Sequence, residues 1–167
     1  KRTAISPEDL KRITKYLSEN DPYYLLVCRM EYYTFIRPEE LTNIKLCDIN
    51  LKEQKILVAS NISKNRRDGM VGLNDEIIKQ MIDLHIFDND TNCYLFSKGF
   101  KPGYKKITTR VIRDRFYKLR SVLKLPDTYL FYSFKDSGIR DLANSAGIVV
   151  ARDQARHTDI STTNKYL

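Results

Sequence analysis

The stretch Arg156-His157-Thr158-Asp159-Ile160-Ser161-Thr162-Thr163-Asn164-Lys165-Tyr166 closes the chain, which ends one residue later at Leu167. It places a tyrosine nine positions after a histidine at the end of a basic sequence. A phenol, with a pKa near ~10, is a poor nucleophile at neutral pH unless cations or a base assist it. What His157 and Tyr166 can do therefore depends on the cations that the upstream sequence brings to them.

Length and charge set the frame. With 167 residues, 42% hydrophobic and 30% charged, the chain reads as one domain with a proper core. Its 29 Lys+Arg against 21 Asp+Glu give a net charge of +8. A field of that sign favours a polyanionic partner, with solubility as the plainer consequence. Cys28, Cys47 and Cys93 are widely spaced and form no CxxC pair, which argues against a disulfide framework and for a reducing compartment. His85 and His157 are the only histidines, so no zinc-like cluster is expected, and there is no glycine-rich phosphate loop. No metal or other cofactor is expected. No apolar run reaches the ~18 residues that a membrane span needs. Lys1-Arg2-Thr3 opens the sequence without an apolar signal-peptide core and without Met, so a fragment of a longer protein is expected.

Working back from the C-terminus, short helices are expected over residues 151–156 and over the final residues. A helix following Ser133 should end near Gly147, a C′ glycine. Thr108 or Thr109 caps a long helix to about Leu123, with Ile112, Phe116, Leu119 and Leu123 on one face. Arg110, Arg113, Arg115, Lys118 and Arg120 occupy the rest of that helix. Residues 86–106 read as a connector with one apolar stretch at Tyr94-Leu95-Phe96, and residues 75–85 as a helix. Three short, β-branched segments, 46–50, 55–60 and 70–73, predict a small antiparallel sheet. Between the last two lies a polar, basic connection with Lys64, Arg66 and Arg67 and an Asp68-Gly69 turn signal. Ser6-Pro7-Glu8-Asp9 opens a first helix with Leu10, Ile13 and Leu17 inward. Asp21-Pro22 opens a second, apolar on most sides and therefore central. Pro38 opens a third, with Glu39 and Glu40 in its first turn. The class is mostly α with a small three-stranded antiparallel sheet.

Each candidate functional group has a plain structural alternative. Tyr166 can attack a phosphodiester, or dock a terminal helix on the core. His157 can orient a phosphate oxygen or move a proton, or cap a helix. Arg37, just ahead of a Pro-started helix, has the guanidinium suited to bidentate phosphate contact, or pairs with Glu39 and Glu40 at the surface. Glu40 can hold a neighbouring group in place. Lys64 can protonate a departing 5′ oxygen from a β-turn, or be solvated there with Arg66 and Arg67.

The order of these residues resembles the catalytic domain of the tyrosine recombinases, the phage integrase family. It runs Arg37-x-x-Glu40-Leu41, a hairpin lysine, a helix-opening basic motif, then His157 with Tyr166 nine residues on. The resemblance covers nearly the whole chain, from Ser6 to Tyr166. It implies that Arg37 clamps the scissile phosphate, Lys64 is the general acid, and His157 and Tyr166 complete the site with Tyr166 as nucleophile. One motif departs from the family. Where it has His-x-x-Arg, this chain has Tyr132-Ser133-Phe134-Lys135. Lysine keeps the charge without the planar fork, and tyrosine donates one hydrogen bond but carries no positive charge.

The resemblance further implies cleavage through a 3′-phosphotyrosyl intermediate and strand exchange without metal or ATP. It implies double-stranded DNA as partner, with Arg66, Arg67, Arg110, Arg113, Arg115 and Arg120 as backbone contacts. A homotetramer on DNA is expected of the full-length protein, and a monomer of the isolated domain. An N-terminal core-binding (SAM-like) domain is expected outside residues 1–167. A bacterial mobile element and a cytoplasmic, nucleoid-associated location follow from the same likeness. Two other readings stand beside it: type IB topoisomerase-like relaxation of DNA, and a catalytically weak DNA-binding module of the same fold.

Overall fold

The apolar second helix is the axis of the domain. In the computed structural model, which describes residues 1–59 and 69–155, helix α2 (Pro22–Thr34) buries Tyr24, Leu25, Leu26, Val27, Cys28, Met30, Glu31 and Thr34. Its start is set by Pro22 and by the Asp21 side chain, which accepts from the Tyr24 amide. Helix α1 (Pro7–Asn20) packs against it through Ile13 and Leu17, and Ser6 caps it by accepting from the Asp9 amide at 3.1 Å. Helix α5 (Thr109–Val122) presents Ile112, Phe116 and Leu119 to the same core. The Tyr24 hydroxyl donates to the Ile112 carbonyl at 2.9 Å, so the buried phenol is satisfied. Each large side chain removed from water here contributes roughly 1.5–3 kcal/mol.

Helix α6 (Ser133–Ala146) lies along α2 at unusually close range. A Cβ on Gly138 would sit 1.8 Å from the Tyr32 carbonyl oxygen and 2.7 Å from Phe35. Only glycine admits that approach. At its other edge Phe134 meets Phe116 edge to face, with ring centroids 5.6 Å apart. Gly147, at φ +98°, ends α6 as expected. Helix α7 (Ile148–Ala155) then packs back on α6, and a small separate cluster forms from Phe35, Ile139, Ala151 and Ala155. This helix starts three residues earlier than the expected 151, because the chain turns immediately at Gly147.

The sheet has the order β1-β2-β3, all antiparallel: β1 (Ile49–Asn50), β2 (Lys55–Val58) and β3 (Gly69–Gly72). Ile56 and Val58 face the core while Lys55 and Leu57 face out, the period-2 pattern of a half-buried sheet. The first strand is shorter than the expected 46–50. Residues Leu46–Asp48 form a 3₁₀ turn, because the Asp48 carboxylate accepts from the Lys45 amide at 2.9 Å and folds the segment locally. Helix α3 (Pro38–Leu41) is a single turn, and α4 (Asp75–Asp83) is capped by Asn74. The connector at 86–106 is tied down by bridges between Lys45 and Tyr94 and between Tyr94 and Gly103, with Leu95 and Phe96 buried. Among the described residues, no helix is long and apolar enough to cross a membrane.

Candidate active site

Arg37 follows a backbone reversal. Phe35 ends α2 in the left-handed region at φ 60°, and Thr34 stabilises the turn by accepting from the Ile36 amide at 3.3 Å. Arg37 then stands as N-cap of α3 with extended backbone, half-buried. Its own amide donates to Glu40 Oε1 at 3.1 Å, and Glu40 is 3% exposed. The carboxylate expected to hold a neighbour in place thus holds the main chain of Arg37.

Tyr132 and Lys135 lie at the start of α6, Lys135 buried at 5% exposed and Tyr132 half-buried. The structure brings their turn beside the Arg37 turn in two ways. The Gly138 contact fastens α6 to the end of α2, and Tyr132 shares the lining of one groove of about 350 Å³ with Pro38, Glu39 and Arg113. Tyr132 lies under Arg2, whose guanidinium carbon is 5.3 Å from the ring centre.

Lys64, Arg66, Arg67, His157 and Tyr166 lie outside the described residues. The residues bordering these stretches are described. Val58 pairs with Gly69, closing the base of the connection that carries Lys64. Ala155, two residues before His157, is 1% exposed in the cluster around Phe35. One step earlier, the Gln154 side-chain amide donates to the carbonyls of Tyr33 at 3.1 Å and Gly72 at 3.4 Å. The end of α7, the end of α2 and the end of β3 thus meet at one side chain.

The arginines of α5 divide. Arg110 and Arg113 are exposed, the former 3.6 Å from Asp114. Arg115 instead faces inward, 3.0 Å from Asp21 and over the Tyr24 ring at 5.1 Å. Arg120 donates to the carbonyls of Asp127 and Tyr129 and stacks on Tyr117.

Several groups near the site were not picked out by sequence reasoning. Glu31 is a fully buried acid in the last turns of α2, and its signal was a lone carboxylate inside an apolar run. Asp136, 8% exposed, is held by Arg2, and burial raises its carboxyl above the ordinary value while Arg2 and Lys135 oppose that rise. The Tyr32 hydroxyl donates to Asp141 at 2.5 Å, and burial with that bond pushes the phenol well up. Tyr33 is pushed to about 12 by burial and by its bond to Glu76. Among the described residues, no group of three His, Cys, Asp or Glu is placed to hold a metal ion.

The family model described as Phage integrase family matches residues 3–167. The chain belongs to the phage integrase family. The fold agrees with that membership. This integrase-family chain superposes on XerA recombinase with a TM-score of 0.77 at 23% identity, covering 98% of this chain and 59% of that one. It is similar to the Tn1549 transposon integrase in complex with a circular intermediate DNA, with a TM-score of 0.80, 14% identity, and 99% and 61% coverage. A lambda integrase dimer bound to a COC' core site matches with a TM-score of 0.77 at 14% identity, over 99% of this chain and 47% of that one. The integrase-family chain thus spans about half to three-fifths of the length of these solved structures. No curated protein matches its sequence significantly. The tyrosine recombinase catalytic-domain fold, mostly α with a three-stranded antiparallel sheet, is the fold seen here.

Proposed function

We propose that this chain is the single catalytic domain of a site-specific DNA recombinase, and that Tyr166 is its nucleophile. The observation that carries the reading is that Pro38 and Glu39, which follow Arg37, line one groove with Tyr132 at the start of α6. Gly138 holds α6 against Tyr32 and Phe35 at the end of α2, just ahead of Arg37 in the chain. In this reading the Arg37 guanidinium and the Lys135 ammonium act together on a phosphodiester whose charge grows as it is attacked.

In the proposed reaction the Tyr166 phenol passes its proton to His157, its oxygen attacks phosphorus and the bond to the 5′ oxygen breaks. Lys64 gives its proton to that departing oxygen, and a 3′-phosphotyrosyl link remains. Arg37, Lys135 and His157 stabilise the charge on the phosphoryl oxygens, and Tyr132 adds a hydrogen bond. Glu40 keeps Arg37 in register. The 5′-hydroxyl of a partner strand then returns a proton to Lys64 and attacks phosphorus, and the tyrosine oxygen leaves with the proton held by His157, so the backbone bond is conserved without ATP or metal.

Two further considerations support this reading. The net charge of +8 suits duplex DNA. Solved structures of similar fold hold DNA, including a lambda integrase tetramer bound to a Holliday junction. A tetramer assembled on DNA by the longer protein, an additional N-terminal core-binding domain, and action in the bacterial cytoplasm belong to the same proposal.

The test uses the full-length protein and a nicked suicide duplex built from the junction sequences of its source element. A covalent protein–DNA adduct is expected from the parent and none from Tyr166→Phe, which should still bind the duplex. Binding without an adduct from the parent would point to a catalytically weak DNA-binding module. Relaxation of supercoiled DNA without a preferred site would point to topoisomerase-like chemistry.

A further inference from the structure

The segment ahead of α1 is strapped to the first turns of α6. The Thr3 amide donates to the Thr128 carbonyl at 3.0 Å, and the Ile5 amide donates to Ser137 Oγ at 2.7 Å. Arg140 donates back to the Ile5 carbonyl at 3.2 Å, and Ile5 itself is fully buried. This strap fixes Arg2 over the turn that carries Tyr132 and Lys135. Its guanidinium engages both oxygens of Asp136, Nε at 2.7 Å from Oδ2 and Nη2 at 3.2 Å from Oδ1. The same guanidinium covers one face of Tyr132.

Asp136 is a liability at this place. It is a buried carboxylate in the residue next to Lys135, close to where the proposed function puts a phosphate. Among the described residues, the charged groups that act on Asp136 are Arg2 and Lys135. Without Arg2, the carboxylate draws on the Lys135 ammonium and repels a phosphodiester. The Arg2 side chain is 37% exposed, so the pair contributes little to folding itself. Its effect falls on the electrostatics of the turn.

We infer that Arg2 is a positioning residue for the proposed strand cleavage. By holding both oxygens of Asp136 and stacking on Tyr132, it keeps Lys135 directed to the scissile phosphate and fixes the Tyr132 phenol. This inference rests on the recombinase reading above.

The test measures single-turnover adduct formation on the nicked suicide duplex, together with duplex affinity and Tm, for the full-length protein. Arg2→Ala should slow adduct formation about tenfold to a hundredfold, the usual scale for loss of positioning. Affinity for the duplex should change no more than about twofold, as expected when only one peripheral contact is altered. Asp136→Asn in the Arg2→Ala background should restore most of the rate, since it removes the stranded charge. Arg2→Lys, which keeps charge without the fork, should fall between the parent and Arg2→Ala. An active parent with an unchanged Arg2→Ala rate overturns the inference alone, as does a loss that Asp136→Asn does not relieve. A parent that forms no adduct removes the recombinase reading and the inference together.

Discussion

Gly138 and Tyr32 are in backbone contact, so close that any side chain at 138 would meet the Tyr32 carbonyl at 1.8 Å. Because that oxygen belongs to the main chain of α2, it cannot swing away. Gly138→Ala should therefore destabilise the domain by about 3 kcal/mol or more, at the high end for overpacking. Urea unfolding reads this directly, and a loss below about 1 kcal/mol would show that the helices separate easily.

Gln154 joins the end of α7 to Tyr33 and Gly72 through one amide. Gln154→Leu keeps the size and removes both hydrogen bonds. Stability should drop by only about 1–2 kcal/mol, the scale of two part-exposed bonds. Adduct formation should fall further, by about tenfold or more, since geometry between site-bearing elements is lost. Equal effects on folding and cleavage would reduce Gln154 to a packing residue.

Lys135 supplies a charge and not a fork. Lys135→Gln, similar in reach but neutral, should slow adduct formation about a hundredfold, as for loss of one charge-stabilising donor. Duplex affinity should fall far less. A variant that cleaves at the parent rate would move the charge-stabilising role elsewhere.

The arginines of α5 should separate in a salt titration. Arg110→Ala and Arg113→Ala, on exposed side chains, should each flatten the slope of log affinity against log salt by about one unit. Arg115→Ala should leave the slope alone and lower Tm, because its partners are Asp21 and Tyr24.

Acid unfolding should be shaped by two carboxylates of opposite sign. The Asp9 carboxyl is lowered, first by the bond from the Tyr129 hydroxyl at 2.7 Å. Its contribution is therefore present above the unfolded value near ~3.9 and lost as pH falls through the lower folded value. The Asp136 carboxyl is raised by burial, so its ionised form costs stability and protonation relieves that cost as pH falls through its folded value. Asp9→Asn should flatten the acid limb of urea midpoint against pH, and Asp136→Asn should steepen it.

Much of the fold was legible because its signals are local. Ser6, Asp21 and Gly147 punctuate helices by their own chemistry, and Ile112, Phe116 and Leu119 announce a face by spacing. The first strand was overextended because Asp48 competes for the Lys45 amide, a choice that apolar patterning does not register. In the site, the order of motifs pointed to Arg37, Glu40, Tyr132 and Lys135. The supports of these residues were hidden, because they pair residues far apart in the chain: Arg2 with Asp136, Tyr32 with Asp141, Gln154 with Gly72. Arg115 shows the same limit. Its place on a basic helix face suggested DNA, while its real neighbour lies 94 positions earlier.

The cluster of Phe35, Ile139, Ala151 and Ala155 stands apart from the main core. Two of its four buried members are alanines, so α7 is expected to open locally at a lower free energy than α2, α5 and α6. Backbone amides of α7 then exchange at a lower free energy than those of α2.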